Sequence, residues 1–138
     1  MARLLVVEDE PDLLLILRIA LEGAHHDVRL AADGEAALSR LRREHFDAVI
    51  LDVMMPVLDG WQVLSAIQRC SDPPQVLVMS AADTPANRVR AEDLGAACFV
   101  AKPFDADRLL ERLDALVPPA RSSSPRPPAR KTDPDDFA

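Results

Sequence analysis

Ala48-Val49-Ile50-Leu51-Asp52-Val53-Met54-Met55-Pro56-Val57-Leu58-Asp59-Gly60 is an apolar run that stops at a carboxylate and is followed, within one loop, by a proline and a glycine. A short run of this kind, apolar at every position, suits a strand buried on both faces, and such strands belong to parallel sheets. Ligands of open parallel sheets bind beyond the carboxyl ends of the strands. Asp52 stands at such an end, which makes it the candidate chemical centre.

Working outward, the same pattern recurs. Leu4-Leu5-Val6-Val7 is a first strand that feeds the acidic loop Glu8-Asp9-Glu10-Pro11. Asp27 to Ala31 alternates like an outer strand, Phe46 to Asp52 is the third, Val76 to Ser80 the fourth and Ala97 to Ala101 the fifth. Helical segments fall between them. Asp12 to Glu22 carries Leu13, Leu17, Ala20, Leu21 and Ala24 on one face, with Ile16 at its margin, and Gly23 is the expected stop. Asp33-Gly34 opens a helix to about Arg43, with Ala36, Ala37, Leu38 and Leu41 inward. Asp59 caps Gly60 to Arg69, and Thr84-Pro85 starts a helix that runs to Leu94 and ends at Gly95. Asp105 caps a last helix to about Val117, with Leu109, Leu110, Leu113 and Leu116 on its buried side. Five strands alternating with five helices through short connections imply an α/β fold, a parallel sheet covered on both faces.

The chain of 138 residues is long enough for one domain with a real core. It is 49% hydrophobic but only 4% aromatic, so that core is aliphatic. A net charge of −7 argues against general binding to nucleic acid phosphates and suits a bound cation. Cys70 and Cys98 have neither metal nor redox spacing and read as reduced packing residues. Neither a signal peptide nor a membrane-length apolar stretch is evident, so the expected location is cytoplasmic. From Pro118 the composition changes: six of the 12 prolines and Ser122-Ser123-Ser124 lie in the final stretch, whose net charge is +1. The expected organisation is a domain over 1–117 and a disordered Pro/Ser-rich tail or linker over 118–138.

Four strands end in groups able to do chemistry: Glu8 and Asp9, Asp52, Ser80, and Lys102. Each alone is ordinary, as a cap, a turn residue or a surface lysine; their coincidence at one sheet edge is not. Carboxylates brought together raise one another's pKa, and Mg2+, a hard cation with oxygen ligands, relieves this. A lysine and a hydroxyl opposite complete a cage suited to a phosphoryl group. Asp52 is then the nucleophile and becomes an aspartyl phosphate.

These motifs, Leu4 through Pro11, Asp52 through Gly60, Ser80-Ala81 and Lys102-Pro103-Phe104, resemble the response-regulator receiver domain of two-component signalling over residues 2 to about 117. The resemblance implies a doubly wound, flavodoxin-like sheet of order 2-1-3-4-5. It implies that Asp52 accepts phosphate, and that Mg2+ is held by Asp9, Asp52 and the backbone carbonyl of Met54, with Glu8 helping through water or from behind. Ser80 would bond the phosphoryl oxygen and Lys102 would pair with it, next to a cis bond between Lys102 and Pro103. Ser80 and Phe99 would form the switch that remodels the face of the fourth helix, fifth strand and fifth helix. The implied donor is a histidine kinase or histidine phosphotransfer protein and the output a protein contact. The only catalysis implied is of the domain's own phosphorylation and dephosphorylation. No direct contact with nucleic acid or membrane is expected.

Leu15 and Ile19 point away from the sheet-facing stripe of the first helix and Leu14 lies at its edge, the three being either scattered surface residues or a docking surface for the donor. Ala97 and Cys98 stand where relatives that dimerise through the switch face carry acids, while Arg112 remains, so the sequence leaves that dimer mode open. Met54 and Ala82 cannot orient an attacking water, which implies a long-lived phosphoryl group. Two alternatives compete. A Mg2+-dependent phosphatase with an Asp nucleophile wants a second Asp two residues on, where Met54 stands. A receiver fragment of a longer DNA-binding regulator fits the tail, but nothing after Pro118 has a helix-turn-helix pattern.

Overall fold

The structure, a computed structural model, describes residues 2–54 and 59–117. The tail expected over 118–138 lies outside the described residues, as do the loop residues 55–58. The elements are β1 (Arg3–Val7), α1 (Pro11–Gly23), β2 (Asp27–Ala31), α2 (Gly34–Arg43), β3 (Ala48–Asp52), α3 (Gly60–Gln68), β4 (Gln75–Ser80), α4 (Pro85–Asp93), β5 (Cys98–Ala101) and α5 (Ala106–Leu116). The sheet is parallel throughout, in the order β2-β1-β3-β4-β5. Phe46 is buried in the core but precedes β3, and Ala97 precedes β5.

Alternation along each strand divides the core in two. Leu5, Val7, Val49, Leu51, Val76 and Val78 face Leu41, Trp61, Leu64 and Ile67 of α2 and α3. Leu4, Val6, Ile50, Leu77 and Met79 face Leu17 and Leu21 of α1 and Leu109 and Leu113 of α5. All five residues of β3 are buried, as the central strand of a sheet covered on both faces must be. The outer strands β2 and β5 are mixed.

Side chains start four of the helices. Asp33, Asp59, Thr84 and Asp105 each accept a backbone N–H from the residue three positions on, and Asp59 with Gln62 forms a reciprocal capping box. The helix ends follow a different rule. Gly95 adopts φ +90° after α4, with Gly95 N–H bonded to Glu92 O and Ala96 N–H to Ala91 O. That is the left-handed termination glycine favours. α1 ends at Gly23, as expected, but the glycine is not the left-handed residue: that is His25, at φ 69°. The bonds His25 N–H to Glu22 O and His26 N–H to Leu21 O close the turn just beyond the glycine.

Candidate functional site

The site is assembled by register. Val7 on β1 lies abreast of Leu51 on β3, so the next residues, Glu8 and Asp52, leave the sheet side by side. Asp52 pairs with Met79 on β4, and Ser80 pairs with Ala101 on β5, which puts Lys102 one residue beyond. Each strand delivers its polar residue to the same edge because the strands are parallel and nearly equal in length. Gly60 completes the packing there. A Cβ at Gly60 would collide with the Asp52 carbonyl oxygen and Val53 Cα, so only glycine lets the start of α3 approach the end of β3 this closely.

Glu8, Asp52 and Ser80 are buried, while Asp9 is exposed at the rim. Lys102 Nζ donates to Glu8 Oε2 at 2.7 Å and to Asp52 Oδ2 at 3.1 Å. Asp52 Oδ1 accepts the Met54 N–H at 2.9 Å, and Glu8 Oε1 accepts the Glu10 N–H at 3.2 Å. Ser80 Oγ accepts the Ala82 N–H at 3.0 Å, and Lys102 N–H donates to Ser80 O at 2.8 Å. The Lys102–Pro103 bond is cis.

The charges are unbalanced: three carboxylates face one ammonium. Burial raises the Glu8 carboxyl, Lys102 pulls it back in part, Asp52 raises it further, and it is left at about 7. Burial depresses the Lys102 ammonium, but its bonds to Glu8 and Asp52 outweigh this and hold it above the ordinary lysine value. Oxygen atoms of Glu8, Asp9 and Asp52 all lie within 4.8 Å of one another. An all-oxygen set with one member driven toward protonation fits a hard divalent cation, which would return Glu8 to the ionised state.

Two features were not evident in the sequence. Lys102 is nearer to Glu8 than to Asp52, although Glu8 was expected to act from behind the metal. Ninety-four positions separate the pair, and no local pattern links them. The Met54 backbone meets Asp52 through its N–H; the carbonyl was the group expected at the metal.

Phe99 is half-buried against the α2–α3 side of the core. On α1, Leu15, Ile16 and Ile19 are 55%, 57% and 63% exposed. Leu14 is half-buried against the core, so the exposed apolar patch exchanges Leu14 for Ile16. Among the described residues no helix is long and apolar enough to cross a membrane.

The family model described as the response regulator receiver domain matches residues 4–114. The transcriptional regulatory protein TcrA of Mycobacterium tuberculosis is 40% identical over 126 residues, 91% of this chain and 49% of its own length. The response regulator MprA of Mycolicibacterium vanbaalenii is 38% identical over 136 residues, 99% of this chain and 54% of its own. The chain thus spans about half the length of these curated relatives. Among solved structures, the receiver domain of the Francisella response regulator 1452 superposes with a TM-score of 0.80 at 28% identity, covering 84% of this chain and 96% of that one. The chemotaxis protein CheY4 of Vibrio cholerae gives 0.79 at 29% identity, covering 85% and 99%.

Proposed function

The chain belongs to the response regulator receiver domain family, and from that premise we propose that Asp52 is its phosphoacceptor. The observation that carries this is the placement of Asp52: a buried carboxylate at the end of the central strand, bonded to Lys102 and within reach of Glu8 and Asp9. An Asp52 oxygen attacks the phosphorus of a phosphohistidine donor. The new O–P bond forms as the N–P bond breaks, and the imidazole leaves with the electron pair.

Asp9 and Asp52, with the Met54 carbonyl and Glu8 contributing directly or through water, would hold Mg2+. When bound, this ion supplies charge stabilisation to the transferring phosphoryl group. Lys102 is a cation already poised over Asp52, and it is placed to follow the phosphoryl oxygens as they gain charge. The Ser80 hydroxyl has a free O–H to donate, because its contact with Ala82 uses it as an acceptor. The Met54 N–H fixes the Asp52 carboxylate in one orientation, so that little is lost in aligning it for attack. Beyond its own phosphorylation and dephosphorylation the domain turns over no substrate.

The donor is a histidine kinase or histidine phosphotransfer protein, docked against the exposed side of α1. Phosphorylation shifts Ser80 and Phe99 and remodels the α4–β5–α5 face, where the output partner binds. A second reading rests on the names of relatives that are transcriptional regulators: the partner or segment served by this face is then a DNA-binding one.

The test is Mg2+-dependent labelling by a small phosphodonor such as acetyl phosphate, comparing the native protein with Asp52→Asn. Label on the native protein alone is expected. An unlabelled native protein overturns the reading, and label retained on the variant moves the acceptor elsewhere.

A further inference from the structure

Arg88, on the outer side of α4, has its guanidinium over the ring of Phe99, 4.8 Å from the centroid, and the same group is ion-paired with Asp83. Phe99 and Arg88 together form part of the wall of two surface hollows, of about 330 and 510 Å³. The half-buried ring is therefore held at the surface under a cation that is itself anchored. The anchor leads back to the site. Asp83 belongs to the loop that leaves β4 at Ser80, and the first turn of that loop is fastened by Ala82 N–H donating to Ser80 Oγ. Asn87 Nδ2 donates to Ala82 O at 3.0 Å, which ties the same loop to the start of α4. A continuous set of contacts thus runs from the Ser80 hydroxyl through Ala82 and Asp83 to Arg88 and the face of Phe99.

The geometry points to the Asp83–Arg88 pair as a latch that holds Phe99 in its resting, surface-facing position and releases it when the loop after Ser80 moves. This rests on the receiver reading above, in which Ser80 and Phe99 shift together, and adds to it a positioning residue that sets how readily they do so. A turn of the Ser80 hydroxyl toward a phosphoryl group on Asp52 pulls on the Ala82 N–H. Asp83 moves with that loop, and Arg88 loses the anchor that keeps it over the ring. The pair contacts Phe99 in the position seen here; in the receiver reading the ring moves away from it on phosphorylation, so the pair biases the equilibrium between the two positions. A cation over an exposed aromatic face shifts such an equilibrium by about two- to fivefold. By linkage, removing it must tighten the binding of a phosphoryl mimic at Asp52 by up to the same factor.

The experiment uses the full chain carrying 4-fluorophenylalanine, with the Phe99 resonance assigned by Phe99→Leu, titrated with beryllofluoride in Mg2+. Arg88→Ala should bind beryllofluoride about two- to fivefold more tightly than the native protein. Its Phe99 fluorine signal, before any addition, should already lie toward the bound position. Asp83→Asn should move both readouts the same way, and Arg88→Lys, which keeps a cation over the ring, should stay near the native protein. A purely structural role for Arg88 would weaken binding or leave it alone. Arg88→Ala with unchanged or weaker binding and an unmoved Phe99 signal overturns the latch, while a responsive native protein leaves the receiver reading standing. A native protein that binds beryllofluoride without moving its Phe99 signal overturns the latch but not the phosphoacceptor at Asp52, and one that does not bind it overturns the receiver reading.

Discussion

Lys102 holds two carboxylates at once, and its removal separates charge balance from chemistry. In Lys102→Ala the buried Glu8 and Asp52 lose the cation they share. Without metal, the variant should be less stable to urea at pH 8 by about 2 kcal/mol, the cost of leaving buried acceptors of a charged bond unpaired. Saturating Mg2+ should restore much of that stability, since it returns positive charge to the same oxygens. It should not restore labelling by acetyl phosphate, because the ammonium that follows the phosphoryl oxygens is gone. Equal destabilisation with and without Mg2+ would show that Lys102 and the metal do not share these ligands. The polar members of the site were legible in the sequence because each ends a strand. Their pairing was not: a strand end announces itself locally, whereas the 2.7 Å bond between Glu8 and Lys102 depends on three registers among four strands.

At the scale of elements, the starts of helices were easier to read than their ends. Asp33, Asp59, Thr84 and Asp105 cap where their types and spacing indicate, because a capping side chain acts within three residues. Gly23 marks the last residue of α1, but the left-handed turn that follows falls to His25 and not to the glycine. Gly60 is the position where one methyl matters. In Gly60→Ala the new Cβ meets the backbone of Asp52 and Val53, so β3 and α3 must part. A loss of about 1–3 kcal/mol is expected in chemical denaturation, together with slower labelling, since Asp52 itself is displaced. Native stability in that variant would mean that the loop relaxes without moving the strand. The exposed patch on α1 makes a different prediction. Leu15→Ser with Ile19→Ser removes apolar surface but no core contact, so stability should change by less than about 0.5 kcal/mol for each change. Transfer from a histidine phosphotransfer donor should slow while labelling by acetyl phosphate stays normal; equal loss with both donors would sink the docking role. Helical periodicity places both Ile16 and Leu14 at the edges of the buried face and does not choose between them. The structure leaves Ile16 exposed and packs Leu14 partly against the core, a packing detail that a 100° wheel does not contain.

At the scale of the whole molecule, the layered α/β architecture follows from five apolar runs alternating with five amphipathic ones, while the strand order came from the resemblance and not from any pattern in the runs. The folded domain also carries opposed proton linkages, which set how its stability should respond to pH. His26 Nδ1 accepts the Ala2 N–H, and burial holds its pKa below the ordinary 6.5. Its contribution is present above pH 6.5 and is lost as pH falls through the lowered folded value. Glu8 works the other way. Its carboxyl rises from 4.5 to about 7 on folding, so its contribution is complete below pH 4.5 and is lost as pH rises through 7. Mg2+ needs the ionised carboxylate and competes with that proton. Between pH 6 and pH 8 its apparent affinity should therefore rise about tenfold, worth about 1.4 kcal/mol at saturation, or roughly 3–6 °C in melting temperature for a domain of this size. Thermal melts with Mg2+ and with a chelator at the two pH values measure this directly. The increment from Mg2+ should be larger at pH 8, and Glu8→Gln, which has no proton to displace, should show similar increments at both. A native protein whose Mg2+ increment is the same at pH 6 and pH 8 would place the metal away from Glu8.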